Sequence, residues 1–329
     1  MKIELMRYLV CPRCRGDLEL RESRQLGAEV VEGRLHCATC ATAFQISGGI
    51  PRFVAADQYT YTFSRQRQHV RAHFEDYKKD RSGYELLTPS TGLQASDFTS
   101  GVSLEVGCGY GRFVEVVSSL GSATVIGIDL STDSIELAYE FVGTRPNVHL
   151  VQCSAFELPF RDGTFERAFS IGVLHHTPDT HAAFKSIVRV VAPQGQVAIW
   201  VYPPEMKRVA DVWRKLTTRL PLGVVYWFCV LNQVLFSWIR ALPGGWRLGR
   251  LIPGARPRPG ASFWMRVMAD FDNLTPRFAW SHAPEEVRTW FEAEGLRDIE
   301  VFARRTALRA YVPDFAPQLA TQPAGAGES

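Results

Sequence analysis

Short apolar runs alternate with amphipathic stretches through the middle of this 329-residue chain. Residues 182–191, for example, lie between two such runs and have apolar side chains at helical spacing. This alternation is typical of a parallel sheet whose two faces are covered by helices. The pattern therefore predicts an α/β fold. Its first five strands are predicted at 103–106, 124–129, 148–152, 167–172 and 197–202.

The same alternation returns near the carboxyl end of the chain. Residues 284–295 have an acidic start and end at a glycine, which predicts a helix. Two further strands are predicted at 296–302 and 307–312. Residues 313–329 are rich in Pro, Ala, Gly and Gln, so we expect a disordered tail there.

The amino-terminal region differs from the rest because it contains two Cys-x-x-C pairs. Each pair is followed by a short β-rich stretch, at 16–20 and 43–46. Two such pairs present four thiolates, which is the ligand set of a tetrahedral structural zinc site. We therefore predict a zinc ribbon over residues 1–54, with Zn²⁺ bound by Cys11, Cys14, Cys37 and Cys40.

The composition is that of an ordinary soluble globular protein, with 46% hydrophobic residues. An acid at position 4 and a cysteine pair from position 11 leave no room for a signal peptide, so we expect a cytoplasmic location. That reducing compartment favours metal binding over disulfides. The other three cysteines lie in apolar or strand-end contexts and are interpreted as packed thiols: Cys108, Cys153 and Cys229.

Positive charge is concentrated in one region, although the formal net charge is only +3. Residues 201–260 contain ten Lys or Arg side chains and two acidic ones. A basic region can contact nucleic acid, anionic lipid or an acidic substrate, or it can be a solvated surface. The sequence leaves these interpretations open.

An apolar stretch at 222–242 lies inside that basic region and is dominated by Val, Trp, Phe and Leu. It is long enough to span a bilayer, but polar side chains interrupt it and prolines bracket it. Three interpretations stay open. The stretch could be a lid helix or dimer interface, a shallow peripheral membrane contact with basic flanks, or a transmembrane span.

A glycine-rich turn follows the first predicted strand, with Gly107, Gly109 and Gly111 at alternate positions, and Asp129 ends the next strand. Glycines let the backbone approach a ligand, and the helix that starts beyond them offers backbone N–H groups. A carboxylate in this place can accept hydrogen bonds from ribose hydroxyls. The pattern predicts a nucleoside-cofactor site. The Gly-x-Gly-x-x-Gly pattern of NAD- and FAD-binding domains requires its last glycine at position 112. This chain has Arg112 there, which disfavours those cofactors.

Four segments at and after this turn follow one another in the order seen in a known protein family: 105–111, 126–131, 156–166 and 172–176. Through them, residues 100–205 resemble the class I S-adenosylmethionine (SAM)-dependent methyltransferases. The resemblance implies SAM as cofactor and a Rossmann-like, seven-stranded sheet with helices on both faces, completed by an antiparallel strand pair. The implied domains are a helical linker and cofactor lid at 55–100 and a methyltransferase domain at 101–312, with a helical lid insertion at 203–283 between strands five and six.

Ligands of such sheets bind outside the carboxyl ends of the strands. The resemblance therefore implies that these residues bind the cofactor: Glu105, Gly107, Cys108, Gly109, Gly111, Asp129, Leu130, Ser154, Ala155 and Gly172. The family usually has an Asp that binds the adenine amino group where this chain has Ser154. A hydroxyl can accept that hydrogen bond but has no charge, so adenine recognition is expected to depend more on backbone atoms and Phe156.

Three histidines are candidates for a catalytic base, because a histidine titrates near neutral pH. His175 and His176 follow the fourth strand, and His282 lies in a segment, 270–282, that resembles the substrate side of related small-molecule methyltransferases. The alternative is that these side chains only pack or bond to the backbone. The sequence lacks both Asn-Pro-Pro-Tyr and a Pro-Cys pair, which disfavours two classes of base methylation.

A zinc ribbon ahead of such a domain resembles the Trm112-like ribbon of bacterial small-molecule methyltransferases, and also the ribbon of rRNA guanine methyltransferases. We expect methyl transfer to a hydrophobic small-molecule acceptor in a biosynthetic pathway, with oxygen as the nucleophile. The first alternative is an rRNA or tRNA base methyltransferase that grips RNA with its ribbon. The second is a non-catalytic SAM-binding interaction protein.

Overall fold

The computed structural model describes residues 1–54, 71–72, 82–121, 123–204, 208–241, 262–302 and 306–314. Some predictions concern residues outside these ranges. Most of the predicted linker at 55–100, nearly all of the predicted disordered tail at 313–329 and the part of the insertion at 242–261 belong to this group.

Eleven strands and eight α-helices form the described part of the chain. The strands are β1 (Leu18–Leu26), β2 (Glu29–Cys37), β3 (Ala43–Ser47), β4 (Ile50–Arg52), β5 (Val102–Val106), β6 (Thr124–Asp129), β7 (Val148–Gln152), β8 (Phe165–Ile171), β9 (Val191–Trp200), β10 (Arg297–Phe302) and β11 (Ala307–Tyr311). The helices are α1 (Ser82–Thr91), α2 (Arg112–Leu120), α3 (Thr132–Val142), α4 (Thr180–Val190), α5 (Arg208–Thr217), α6 (Leu222–Ala241), α7 (Phe263–Leu274) and α8 (Pro284–Ala293).

All of the described strands belong to one sheet, in the order β1-β2-β3-β4-β7-β6-β5-β8-β9-β11-β10. Strands β5 to β9 are parallel to one another, whereas β11 is antiparallel to both β9 and β10. The prediction of a seven-stranded sheet is wrong in its strand count, because β1 to β4 of the ribbon extend the same sheet. The predicted antiparallel pair does complete its far edge.

Helices cover both faces of the central strands. Leu104 and Ile126 pack in one hydrophobic cluster with Phe184 of α4 and Phe291 of α8. Val125, the neighbour of Ile126, packs in another cluster with residues of α2 and α3. Successive side chains of a strand point to opposite faces. The two clusters are therefore the two sides of an α/β fold, as the alternating pattern predicts.

Polar caps fix where the helices beside the site begin. The Ser131 hydroxyl accepts a hydrogen bond from the Ser134 N–H ahead of α3, and the Asp179 carboxylate accepts one from the Ala182 N–H ahead of α4. Each cap satisfies one of the unpaired N–H groups of a first helical turn. The loops after β6 and β8 are thereby held at the same edge of the sheet.

Two of the contacts that join the ribbon to the rest of the chain flank the loop after β7. Arg52 of β4 pairs with Gln152 of β7 in parallel register. Ahead of the first cysteine pair, the Val10 N–H donates to the Pro159 carbonyl at 2.9 Å. The two junctions lie on either side of the loop 153–157, so the ribbon holds both ends of that loop.

The predicted insertion contains α5, α6 and α7. Val225 of α6 and Phe271 of α7 belong to a third hydrophobic cluster, which also includes Tyr110 of the glycine-rich turn and Leu137 of α3. The insertion therefore packs on the elements that surround that turn. Among the described residues, no helix combines the length and the apolar character needed to cross a bilayer.

Candidate cofactor and metal sites

The glycine-rich turn between β5 and α2 has the backbone that the sequence predicts. Gly107, Gly109 and Gly111 all have positive φ, at 79°, 58° and 89°. At Gly107 a Cβ would lie only 2.3 Å from a methyl carbon of Val173. Glycine is required there both by the left-handed backbone and by this contact.

The carboxylate of Asp129 is bound to the same turn. Its Oδ2 accepts a hydrogen bond from the Gly109 N–H at 2.9 Å, and its Oδ1 accepts one from the Ser131 N–H at 2.9 Å. These two bonds fix the carboxylate at the carboxyl end of β6, beside the glycines. This is the place where a nucleoside ribose is held in related α/β folds.

Glu105 lies beneath the turn and is fully buried. Its Oε2 has no hydrogen-bond partner among the described residues. Burial raises the pKa of Glu105 to about 8, a rise that the nearby Asp129 increases and Arg112 opposes. A buried carboxyl with one unsatisfied oxygen is suited to face a cationic ligand group.

The loop after β7 carries Ser154 and Ala155. The Ser154 hydroxyl oxygen accepts a hydrogen bond from the Phe156 N–H at 3.2 Å, which still allows its proton to be donated. The Ala155 carbonyl accepts a hydrogen bond from Ser186. In the same region, the Gln152 side chain donates to the Leu130 carbonyl at 2.9 Å. The predicted adenine-side residues thus lie in two hydrogen-bonded loops at one edge of the sheet.

The cysteines beside this site are buried thiols. Cys108 and Cys153 have almost no exposed surface, and burial raises the pKa of each thiol well above its ordinary value. Neither thiol is therefore suited to act as a nucleophile. Gly172 directly follows β8 with a φ of 76°, and its N–H donates to the Trp200 carbonyl at 2.9 Å.

His175 and His176 lie in a short 3-10 turn after β8. The His175 ring is fully buried and packs on Tyr202, with 3.8 Å between the ring centroids. His176 Nδ1 lies 2.9 Å from the Phe278 carbonyl. Since a carbonyl only accepts, Nδ1 must carry the proton, and the lone pair of the neutral ring is on Nε2.

His282 is positioned differently. Its Nδ1 lies 2.8 Å from a Glu286 carboxylate oxygen and its Nε2 lies 3.0 Å from the Thr180 hydroxyl. Both ring nitrogens are thus engaged in bonds that join the start of α8 to the start of α4. A catalytic role for His282 stays a prediction, and these contacts favour a structural one.

The segment between α7 and α8 covers the turn that bears the two adjacent histidines. The Trp280 N–H donates to the His175 carbonyl at 2.9 Å, and the Trp280 indole N–H donates to the Thr177 carbonyl at 3.0 Å. The His282 N–H donates to the Tyr202 carbonyl. Sequence reasoning missed Trp280 and Tyr202. The position of Tyr202 at the carboxyl end of a predicted strand was the available signal.

The four predicted zinc ligands converge in the ribbon. The sulfur atoms of Cys11, Cys14, Cys37 and Cys40 all lie within 4.8 Å of one another. Zn–S bonds of about 2.3 Å in a tetrahedron place sulfurs about 3.8 Å apart. The observed separations of 3.6 Å between Cys11 and Cys40 and 3.3 Å between Cys14 and Cys37 fit such an ion.

Two known protein families match parts of this chain. Residues 104–199 match the family model described as a methyltransferase domain, and residues 2–49 match the Trm112p-like protein family. The match to the Trm112p-like family thus precedes the match to the methyltransferase domain in the same chain. The matched methyltransferase residues contain the glycine turn, Asp129, Ser154 and the two adjacent histidines.

Relatives that are similar to part of this chain have names that indicate different acceptors. The chain is 33% identical over 118 residues to an O-methyltransferase, rstn1, of Aspergillus nomiae, covering 35% of this chain and 52% of the relative. It is 33% identical over 106 residues to probable tRNA methyltransferase 9B of Mus musculus, covering 31% and 22%. The chain thus spans about half the length, or less, of these curated relatives.

A solved structure is similar over a larger part of the chain. It is a complex of the Haloferax volcanii Trm112 methyltransferase activator with a methyltransferase, and the matched chain is 13% identical. The match covers 79% of this chain and 100% of that chain, with a TM-score of 0.44.

Proposed function

We propose that this protein is a SAM-dependent methyltransferase that acts on a hydrophobic small molecule through an oxygen nucleophile. The observation that carries the proposal is the joined Gly109 and Asp129 pair. Its carboxylate is fixed by two backbone N–H groups at the edge where a nucleoside binds. The match of residues 104–199 to a methyltransferase domain supports SAM as the nucleoside.

Each part of the cofactor has a group of matching chemistry at this edge. Asp129 would accept hydrogen bonds from the ribose hydroxyls, and Ser154 would bond to the adenine edge. The buried Oε2 of Glu105 would face the cationic amino-acid end. The left-handed glycines leave room for the ligand against the backbone. When bound, SAM supplies an electrophilic methyl group, so the protein has to hold the acceptor in line and exclude water.

The acceptor would bind on the other side of the histidine turn. Trp280 and Phe278 stack there, with 6.4 Å between the ring centroids, and Trp280 is partly exposed. Aromatic surfaces of this kind suit an apolar acceptor. His176 is placed to take the proton of an acceptor hydroxyl, because its neutral tautomer has the lone pair on Nε2. The similarity to an O-methyltransferase supports oxygen as the acceptor atom.

Zinc in the ribbon would be structural. Four sulfurs supply all four ligands of a tetrahedral ion, which leaves no position for a substrate. The ion would hold the two cysteine turns together. Through the junctions at Val10 and Arg52, the ribbon would in turn brace the loop that carries Ser154.

Transfer of a labelled methyl group tests the proposal directly. The zinc-loaded full chain is incubated with extract fractions and SAM labelled in the methyl group, and products are identified by mass spectrometry. The expected product is an apolar small molecule with the label on oxygen. If the protein binds SAM but labels neither a small molecule nor RNA in any extract fraction, the result would favour the non-catalytic alternative.

RNA is the second candidate acceptor, because one relative is a tRNA methyltransferase and the ribbon matches the Trm112p-like family. An RNA enzyme would contact phosphates, so its RNA affinity would fall steeply as salt rises. Titration of total tRNA and rRNA at two salt concentrations separates the candidates. Tight, salt-dependent binding together with label in RNA would replace the small-molecule proposal.

A further inference from the structure

Helices α5 and α6 and the turn between them expose a continuous series of large apolar side chains, which we call the outer face. Its members are between 37% and 67% exposed: Val212, Leu216, Leu220, Val224, Trp227, Leu231, Val234 and Leu235. On α6 they recur at intervals of three and four residues, which places them on one side of the helix. Soluble proteins rarely expose so many large apolar groups together without a partner.

The outer face is not needed to attach the insertion to the rest of the protein. The opposite side of α6 provides Val225 and Cys229, which are fully buried against α7. Helix α5 is attached by Trp213, whose ring lies 5.2 Å from that of Phe228, and by Thr217, which donates to the Leu274 carbonyl. Each helix therefore has one side that packs on the protein and another that faces outward.

The charges beside the outer face are positive. Lys215 and Arg219 are exposed at the end of α5 and in the turn that follows. The nearby acid, Asp211, is paired with Arg214. The sequence 201–260 as a whole contains ten basic and two acidic residues, although the chain's net charge is only +3. Basic residues next to an apolar surface are attracted to anionic lipid headgroups.

We infer that the outer face of α5 and α6 docks on an anionic lipid bilayer. The two helices lie in the headgroup region with their apolar side chains inserted, and Trp227 is at the interface, where tryptophan is enriched. The helices do not cross the bilayer, because no helix among the described residues is both long and apolar enough to do so. Lys215 and Arg219 contact the anionic headgroups.

The observations favour lipid over two other occupants. A second copy docked through the same face would place two surfaces of positive charge against each other, and like charges repel. An RNA partner would satisfy the basic residues but would not cover eight large apolar side chains. A bilayer surface matches both properties at once.

Docking would also explain how an apolar acceptor reaches the site, and this step rests on the proposed function. The inner sides of α6 and α7 pack on Tyr110 of the glycine-rich turn. The surface that meets the bilayer and the surface that meets the cofactor turn are thus two sides of one helical layer. An acceptor dissolved in the membrane would have a short path to the site.

Vesicle flotation of the full chain tests the inference without SAM or acceptor. Binding is measured to vesicles of pure phosphatidylcholine and to vesicles that contain phosphatidylglycerol. Trp227→Ser with Leu231→Ser removes apolar contacts, and Lys215→Glu with Arg219→Glu reverses the charge. Leu26→Ser and Arg24→Glu, at exposed positions on β1 of the ribbon, are the matched controls. Thermal unfolding confirms that each variant is folded.

We expect the wild-type chain to bind phosphatidylglycerol vesicles, with the partition coefficient falling as salt is added. The apolar pair of substitutions should lower it at least tenfold, and charge reversal should remove the preference for anionic vesicles. Both controls should bind like the wild-type chain. If the wild-type chain binds neither kind of vesicle, or if all variants bind equally well, the inference is overturned. A dimer in sedimentation that the apolar substitutions dissociate would assign the face to a second copy instead.

Discussion

Asp129 accepts hydrogen bonds from the backbone N–H groups of Gly109 and Ser131, both at 2.9 Å, and so joins the end of β6 to the glycine-rich turn. Protein groups alone fix the position of this carboxylate. Because each carboxylate oxygen can accept more than one hydrogen bond, the same group can hold two ribose hydroxyls. A preorganised acceptor of this kind loses little freedom on binding, which favours affinity.

Asp129→Asn should weaken SAM binding. The amide retains one acceptor oxygen but loses the charge, and hydrogen bonds to a charged acceptor contribute about 1.5–3 kcal/mol each. We expect a decrease in affinity of at least about tenfold by calorimetry. Glu157→Gln, at an exposed acid in the loop after β7, is the matched control and should leave affinity unchanged. Equal affinities of wild type and Asp129→Asn would contradict the assignment.

Glu105→Gln should stabilise the protein without cofactor at alkaline pH. The folded-state pKa of about 8 is above the ordinary value of 4.5, so the carboxyl favours folding below pH 4.5 and this contribution is lost as pH rises toward 8. The loss between pH 5 and pH 8 is on the order of 3 kcal/mol. Urea unfolding at both pH values should show this decrease in the wild type and not in Glu105→Gln. Parallel pH dependence of the two proteins would show that Glu105 is ionised when folded.

His176→Asn should reduce turnover while the protein stays folded. The Asn amide can replace Nδ1 as donor to the Phe278 carbonyl, but it has no basic nitrogen in the place of Nε2. Loss of a general base typically costs about 10²–10⁴ in rate. With the acceptor found by labelling, kcat should fall by that range.

His282→Asn is the comparison for that variant. Because both nitrogens of His282 are bonded to Glu286 and Thr180, its loss should lower the melting temperature with a smaller effect on kcat. If His282→Asn abolishes turnover and His176→Asn does not, the two roles are exchanged.

Removal of zinc should weaken SAM binding although the metal lies outside the cofactor site. Arg52 donates to Gln152 at 2.7 Å, and Gln152 in turn donates to the Leu130 carbonyl. Val10 holds the other end of the same loop through Pro159. Chelation should therefore raise hydrogen exchange in residues 152–162 and lower SAM affinity, and added Zn²⁺ should restore both. Unchanged exchange in this loop after zinc loss would exclude the coupling.

The sequence predicted the central strands well because their burial leaves a strong local signal. Strands β6 and β7 have the predicted bounds, at Thr124–Asp129 and Val148–Gln152. The apolar stretch at 222–242 likewise corresponds to α6, at Leu222–Ala241. The positive φ of Gly107, Gly109 and Gly111 also follows from the spacing of those residues.

Features that depend on distant pairing were not predictable in this way. Strand β2 was missed because most of its residues are polar or partly exposed, so no apolar period marks it. The joining of the ribbon to the sheet rests on Arg52 and Gln152, which are far apart in sequence and carry no local signal. The position of Trp280 over the histidine turn depends on backbone bonds to His175 and Thr177, which residue type does not encode.

Calorimetric titration of SAM into the zinc-loaded full chain tests the central claim most directly. A cofactor held by the Gly109 and Asp129 pair should bind at one site per chain, with a dissociation constant in the micromolar range, about −8 kcal/mol. S-adenosylhomocysteine should compete for that site, whereas NAD should not. A folded, zinc-loaded protein that gives no binding heat and no thermal stabilisation with SAM would contradict the account.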